Sequence, residues 1–183
     1  MTIEKVRHAE SHTWNEIQSQ GNVWQAVFDE LRDGRVLSAI LREAQTKREW
    51  MFIGCGTSFY LAEAAALSWT ILTGQAARAI AASEVLLFPK FIQAEGADLQ
   101  AVVISRSGKT SEAVRAAKAL RQELRVPTIG ITCAESSELA RACDSTIVLR
   151  AADEQSTVMT RSFTSMLLTL QVLAARRAGK GKK

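Results

Sequence analysis

Proline and histidine are scarce, two of each in 183 residues, and the three cysteines at 55, 133 and 143 share no C-x-x-C spacing. An odd set without that spacing argues against a disulfide framework and against a cysteine zinc site, and it suits a reducing cytoplasm. His8 and His12 stand one helical turn apart, yet no H-E-x-x-H pattern surrounds them, so no metal is expected. Long apolar runs are missing too. Nowhere do about 18 consecutive apolar residues occur, and the charged N-terminus lacks an apolar stretch of the signal-peptide kind, so no membrane segment is expected and a cytoplasmic location is. Aromatic residues make up only 6% of the chain, and its net charge of +4 comes from the end: Arg176, Arg177, Lys180, Lys182 and Lys183 lie within the last eight positions. Such a basic tail, with no basic patch elsewhere, excludes a nucleic-acid surface as the expected function.

Two glycine motifs are incomplete. Gly108-Lys109-Thr110 ends like the phosphate loop of nucleotide hydrolases, but Val103 stands where that motif needs its first glycine. Gly54 and Gly56 begin a G-x-G-x-x-G fingerprint whose third glycine is replaced by Phe59, and Glu84 lies some 30 residues past Gly54, beyond the roughly 20 at which the ribose-binding acid is expected. No nucleotide cofactor is expected. The glycines suit a close approach of backbone to a ligand or a helix.

What is present is a strand running into a hydroxyl-rich turn. The apolar run Ala101–Ile104 ends in Ser105-Arg-Ser-Gly-Lys-Thr-Ser111, and Ala113–Leu120 reads as helix. The first N–H groups of a helix lack internal partners and carry about half a positive charge, so an anion such as phosphate suits the junction. Ser105, Ser107, Thr110 and Ser111, with Arg106 and Lys109, gather donors and cations there. The plainer reading is that Thr110 or Ser111 simply caps the helix.

Along the chain, apolar residues at three- and four-residue steps predict two helices, from Val23 to Leu31 and from Val36 to Trp50, broken near Asp33-Gly34. Strands are predicted at Trp50–Ile53, Ala76–Ala81, Leu99–Ser105, Thr128–Thr132 and Ser145–Leu149. Between them lie helices from Ser58 to Thr73, after Ser111, from Ser136 to Ala142 and from Thr160 to Arg177, and a short helical turn at Ser83-Glu84 ended by Pro89. Alternating strands and helices imply right-handed βαβ units and a parallel sheet covered on both faces. Ligands of such sheets sit beyond the strand C-termini, where strand order reverses. The loops at 54–58, 105–110 and 154–160 all follow strands and converge on one mouth.

Four motifs in order, Gly54-Cys-Gly-Thr-Ser58, Ala82-Ser-Glu84, Ile104-Ser-Arg-Ser-Gly-Lys-Thr110 and Asp153-Glu-Gln-Ser-Thr-Val-Met-Thr-Arg-Ser-Phe-Thr164, resemble the sugar isomerase (SIS) domain of phosphosugar isomerases. The last looks most like the tagatose-6-phosphate ketose/aldose isomerase subgroup, linked also to galactosamine-6-phosphate deamination. Thr13-Trp-Asn-Glu-Ile17, Gln20 and Trp24 look like the leader of that subgroup. The resemblance implies a three-layer αβα sandwich with a five-stranded parallel sheet in flavodoxin-like order. It divides the chain into a helical leader (1–49), the SIS domain (50–177) and a disordered basic tail (178–183).

It also implies the ligand, a hexose 6-phosphate, and its contacts. Gly56, Thr57 and Ser58 would meet the sugar or phosphate, Ser105, Ser107 and Thr110 would grip the phosphate, and Ser156 and Thr157 would touch the sugar chain. Arg106 stands where glucosamine-6-phosphate synthase often has glutamine. The function implied is that of a phosphosugar-binding domain of an aldose-ketose isomerase or amino-sugar-phosphate deaminase/isomerase. In two-domain relatives the proton-moving glutamate and the ring-opening histidine belong to a second SIS domain, and no residue here matches them. A sugar-phosphate sensor is the alternative, but regulators of that kind carry a helix-turn-helix before the SIS domain, and the 49 residues ahead of Trp50 show no recognition-helix pattern. Self-association as a homodimer or larger is expected, through the alanine-rich helix with Ala62, Ala64, Ala65 and Ala66 and through Trp14 and Trp24.

Overall fold

The computed structural model describes residues 12–93 and 98–179, so His8, Lys180, Lys182 and Lys183 lie outside the described residues. The apolar runs form strands β1 (Glu49–Gly54), β2 (Ala76–Ala81), β3 (Leu99–Ile104), β4 (Thr128–Thr132) and β5 (Ser145–Val148). All pair in parallel, in the order β2-β1-β3-β4-β5, with Ile53 opposite both Ile80 and Val103. Because side chains alternate across a strand, each apolar run feeds two cores. Trp50 and Phe52 face helices α2 (Gln20–Arg32), α3 (Arg35–Glu43), α4 (Thr57–Thr73) and α9 (Arg161–Arg177). Met51 and Ile53 face α5 (Ala82–Leu87), α6 (Pro89–Gln93), α7 (Ser111–Lys118) and α8 (Glu138–Ala142). The expected three layers and flavodoxin-like strand order are therefore present.

Several local expectations shift. The periodicity from Val36 to Trp50 forms helix only as far as Glu43, and Trp50 lies in β1, where its ring packs at a tilt of 32° against Trp69 with centroids 3.9 Å apart. Close ring contact and burial of a large aromatic outweigh the weak local preference for helix. The helical turn at Ser83-Glu84 is α5, which ends at Leu87 just ahead of Pro89 as expected; Pro89 then opens α6, since a proline's missing N–H is no loss in the first turn. Residues 12–18 form a further helix, α1 (His12–Gln18), ahead of α2, whose Val23, Val27 and Leu31 enter the first core.

The basic end is partly structural. Arg176 donates to the Leu31 carbonyl, and Arg177 to Gln75 and to the carbonyls of Gln45 and Lys47. On α4, Ala62, Ala65 and Ala66 face the protein's own core, while Tyr60, Leu67 and Ile71 are exposed.

Candidate functional site

The strand order reverses between β1 and β3, so the loops leaving their C-terminal ends open one crevice. At β1 the turn is forced close, because a Cβ on Gly54 would lie 2.2 Å from the Ser58 carbonyl oxygen. Glycine lets α4 begin directly against the strand end. Gly56 and Thr57 stand exposed on this turn, while Ser58 is buried and donates to Met159 Sδ at 3.8 Å, linking the loop after β1 to the one before α9.

At β3 the chain turns through Gly108, with φ +61°. A Cβ there would come within 2.3 Å of Ser137 and 2.9 Å of Thr132 Oγ1. The neighbouring β4 loop braces this turn. Thr132 Oγ1 and the Cys133 N–H both donate to the Arg106 carbonyl, at 3.0 and 2.9 Å, and the Leu139 N–H donates to the Gly108 carbonyl at 2.9 Å. Thr110 occupies the N-cap position of α7, yet its side chain makes no cap hydrogen bond there. Its hydroxyl pairs instead with Ser105 Oγ at 3.1 Å, and Ser107 Oγ accepts from the Lys109 N–H at 3.2 Å. The hydroxyls thus gather beside a helix start that its own N-cap side chain leaves open, an arrangement that suits an anion.

The third wall is the loop from Asp153 to Thr160. Glu154 is buried at the start of α9, where its carboxylate accepts from the Thr160 N–H and hydroxyl and from the Ser162 N–H and hydroxyl. A carboxylate among free N–H groups at a helix start is stabilised by the helix field, so Glu154 serves as a cap. Arg106 reaches across from the β3 turn, with Nη1 2.6 Å from the Ser156 carbonyl oxygen and 3.5 Å from Glu154 Oε1. Ser156 is buried and turns its hydroxyl towards Glu16 and the Val158 carbonyl, whereas Thr157 is exposed.

Neither nearby thiol is a ready nucleophile. Burial, reinforced by the negative Glu112 to which it is hydrogen-bonded, pushes Cys55 up to about 11; burial, together with Asp153 and Glu154, pushes Cys133 up to about 12. Among the described residues no three His, Cys, Asp or Glu side chains form a metal-binding group, and no helix is long and apolar enough to cross a membrane.

Every sequence-derived site residue therefore lies on one of the three loops. What sequence reasoning missed is their support: Thr132 and Ser137 under the β3 turn, and Glu16 under Ser156. A small residue opposite Gly108 and the carboxylate in the leader were visible, but nothing local ties either to its partner.

A doubly wound parallel sheet with a hydroxyl-lined loop at its switch point defines the class of open-sheet α/β domains. Residues 45–176 match the SIS domain model, and the chain belongs to that family, homologous to the domains of phosphosugar isomerases and deaminases. It is 29% identical over 167 residues to glutamine–fructose-6-phosphate aminotransferase (isomerizing) of Chlamydia pneumoniae, covering 89% of this chain and 27% of that protein. The crystal structure of glucosamine-6-phosphate deaminase from Thermotoga maritima is similar at 32% identity and TM-score 0.74, over 94% of this chain and 50% of that one. Tagatose-6-phosphate ketose/aldose isomerase from Escherichia coli shares the fold at TM-score 0.79 and 23% identity, over 92% and 48%. The chain thus spans about a quarter of the curated relative's length and about half of each solved chain.

Proposed function

We propose that this domain binds a hexose 6-phosphate within a cytoplasmic phosphosugar isomerase or amino-sugar-phosphate deaminase/isomerase. The observation that carries the reading is the start of α7, where Thr110 makes no cap and joins Ser105 and Ser107 in a ring of hydroxyls at the β1–β3 switch point. The phosphate sits on the N–H groups and hydroxyls of that turn, and the sugar extends between Gly56-Thr57 and Thr157. Three free cysteines accord with a reducing compartment.

Moving a proton between C1 and C2 needs a base within hydrogen-bond reach of the carbon's proton. Among the described residues Glu154 is committed to the α9 cap and Glu112 to the Cys55 thiol, while Glu63 and Glu84 are exposed on helices. The base is accordingly supplied by a second SIS unit or another subunit. Calorimetric titration with tagatose, fructose and galactosamine 6-phosphates should show saturable binding of at least one. A coupled assay of these 183 residues should give turnover at least about a hundredfold below a complete relative, since positioned acid–base groups contribute roughly 10²–10⁴-fold. Absence of all binding refutes the reading, and ordinary turnover abolished by Glu154→Gln or Glu84→Gln makes the chain a self-sufficient isomerase.

A further inference from the structure

Glu16 is the most unusual carboxylate outside the crevice. It sits on α1, is only 4% exposed, and makes its contacts some 140 residues away in sequence. Its Oε1 accepts from the Gln155 N–H at 2.6 Å and the Ser156 N–H at 3.3 Å, and its Oε2 accepts from the Ser156 hydroxyl. Ser156 is thereby held on opposite sides, its N–H and hydroxyl by Glu16 and its carbonyl by Arg106 from the β3 turn. The grip is repeated alongside: Arg161 Nη1 donates to Ser19 Oγ, Trp24 Nε1 to Thr164 Oγ1, and Thr164 Oγ1 to Gln20 Oε1. Buried polar groups so fully engaged define one conformation, and removing one leaves the others unpaired.

We propose that Glu16 is a positioning residue for the sugar end of the site: through Ser156 it fixes the 153–160 loop so that Thr157 and Met159 face the crevice, while the phosphate turn at 105–110 stands without it. The assignment rests on the hexose 6-phosphate reading. It gives the N-terminal helices a part in sugar binding, and it makes the Ser156 hydroxyl a strut of the loop instead of a sugar ligand.

The test compares the wild-type chain with Glu16→Ala, Glu16→Gln and Val27→Ala, the last loosening α2 in the core without touching the loop. Amide hydrogen exchange is followed at residues 155 and 156, and inorganic phosphate and the same three hexose 6-phosphates are titrated. Glu16→Ala should speed exchange at both amides and weaken the hexose 6-phosphate about tenfold or more, as loss of a charged hydrogen-bond anchor does, with phosphate affinity unchanged. Glu16→Gln, which keeps an oxygen for the two N–H groups, should recover part of the affinity. Unchanged exchange overturns the proposal, as does an equal loss of phosphate and sugar phosphate, or the same selective loss in Val27→Ala. If wild type binds no hexose 6-phosphate the functional reading falls, and exchange at 155 and 156 alone decides whether Glu16 fixes the loop.

Discussion

Ser107 and Gly108 adjoin in the β3 turn and fail in different ways when changed. Ser107 is half-exposed and its oxygen accepts only the local Lys109 N–H, so its hydrogen remains available to a phosphate oxygen. Ser107→Ala should leave stability almost unchanged and weaken hexose 6-phosphate binding by about 1.5–3 kcal/mol, the range for hydrogen bonds to a charged group. Equal affinities by calorimetry would remove Ser107 from the site. Gly108 combines a left-handed backbone with no room for a Cβ beside Ser137. The backbone alone costs about 1–2 kcal/mol and overpacking about 1–3 kcal/mol, so Gly108→Ala should lower unfolding stability by at least about 2 kcal/mol. A wild-type urea midpoint would contradict that. The Ser105–Thr110 hydroxyls were legible in the sequence because the whole cluster lies within six residues. Thr132 and Ser137 were not, since their role appears only once β4 lies beside β3.

Among elements, the helices ahead of β1 have the most to say about pH. Burial alone would raise the Glu16 carboxyl, but the Ser156 hydroxyl, the Gln155 and Ser156 N–H groups and the Arg161 charge outweigh it and hold the group below its ordinary value. A carboxyl lowered by folding stabilises the native state fully above its unfolded value, 4.5, and loses that contribution as pH falls through the lower folded one. The stability difference between wild type and Glu16→Gln, measured by urea unfolding, should therefore be constant near neutrality and shrink below about pH 4.5. A difference that persists into acid would show that charge has no part in the grip. Strands β1, β3 and β4 were readable because each is an almost continuously buried apolar run, and the half-buried edge strands β2 and β5 because turn residues bound short apolar runs. The break between α3 and β1 was not, because Trp50 continues a helical period until packing on Trp69 draws it into the sheet.

On the scale of the whole molecule, the self-association expected from the sequence would have to use a different face of α4. The α4 alanines are spent on the protein's own core, and what remains outside is Tyr60, Leu67 and Ile71 on α4, with Trp14, Ile17, Trp24 and Phe28 on α1 and α2. Between α4 and α9 lies an open groove of about 480 Å³ lined by Ile71, Leu72, Val172 and Ala175 among others. Exposed apolar area of this kind marks interfaces. Light scattering at micromolar concentration should report a dimer or larger species, and Leu67→Glu with Ile71→Glu should shift it towards monomer. A strict wild-type monomer would refute the expectation. The fold class was available from alternating strands and helices alone, whereas the outward face of α4 depends on how the helix is rotated about its axis, which its nearly uniform apolar character does not record.

The four tryptophans divide evenly between sealed and partly exposed surroundings. Trp50 and Trp69 are sealed in the core in tilted contact, and Trp14 and Trp24 are partly open on the N-terminal helices. The chain therefore carries its own pair of optical reporters. Iodide in solution quenches only the outer pair, and the two contacting core indoles give a near-ultraviolet dichroism that lasts as long as the core stays packed. Loss of the outer signal while the inner one persists is what a leader peeling away from an intact sheet would look like, seen without attaching any label.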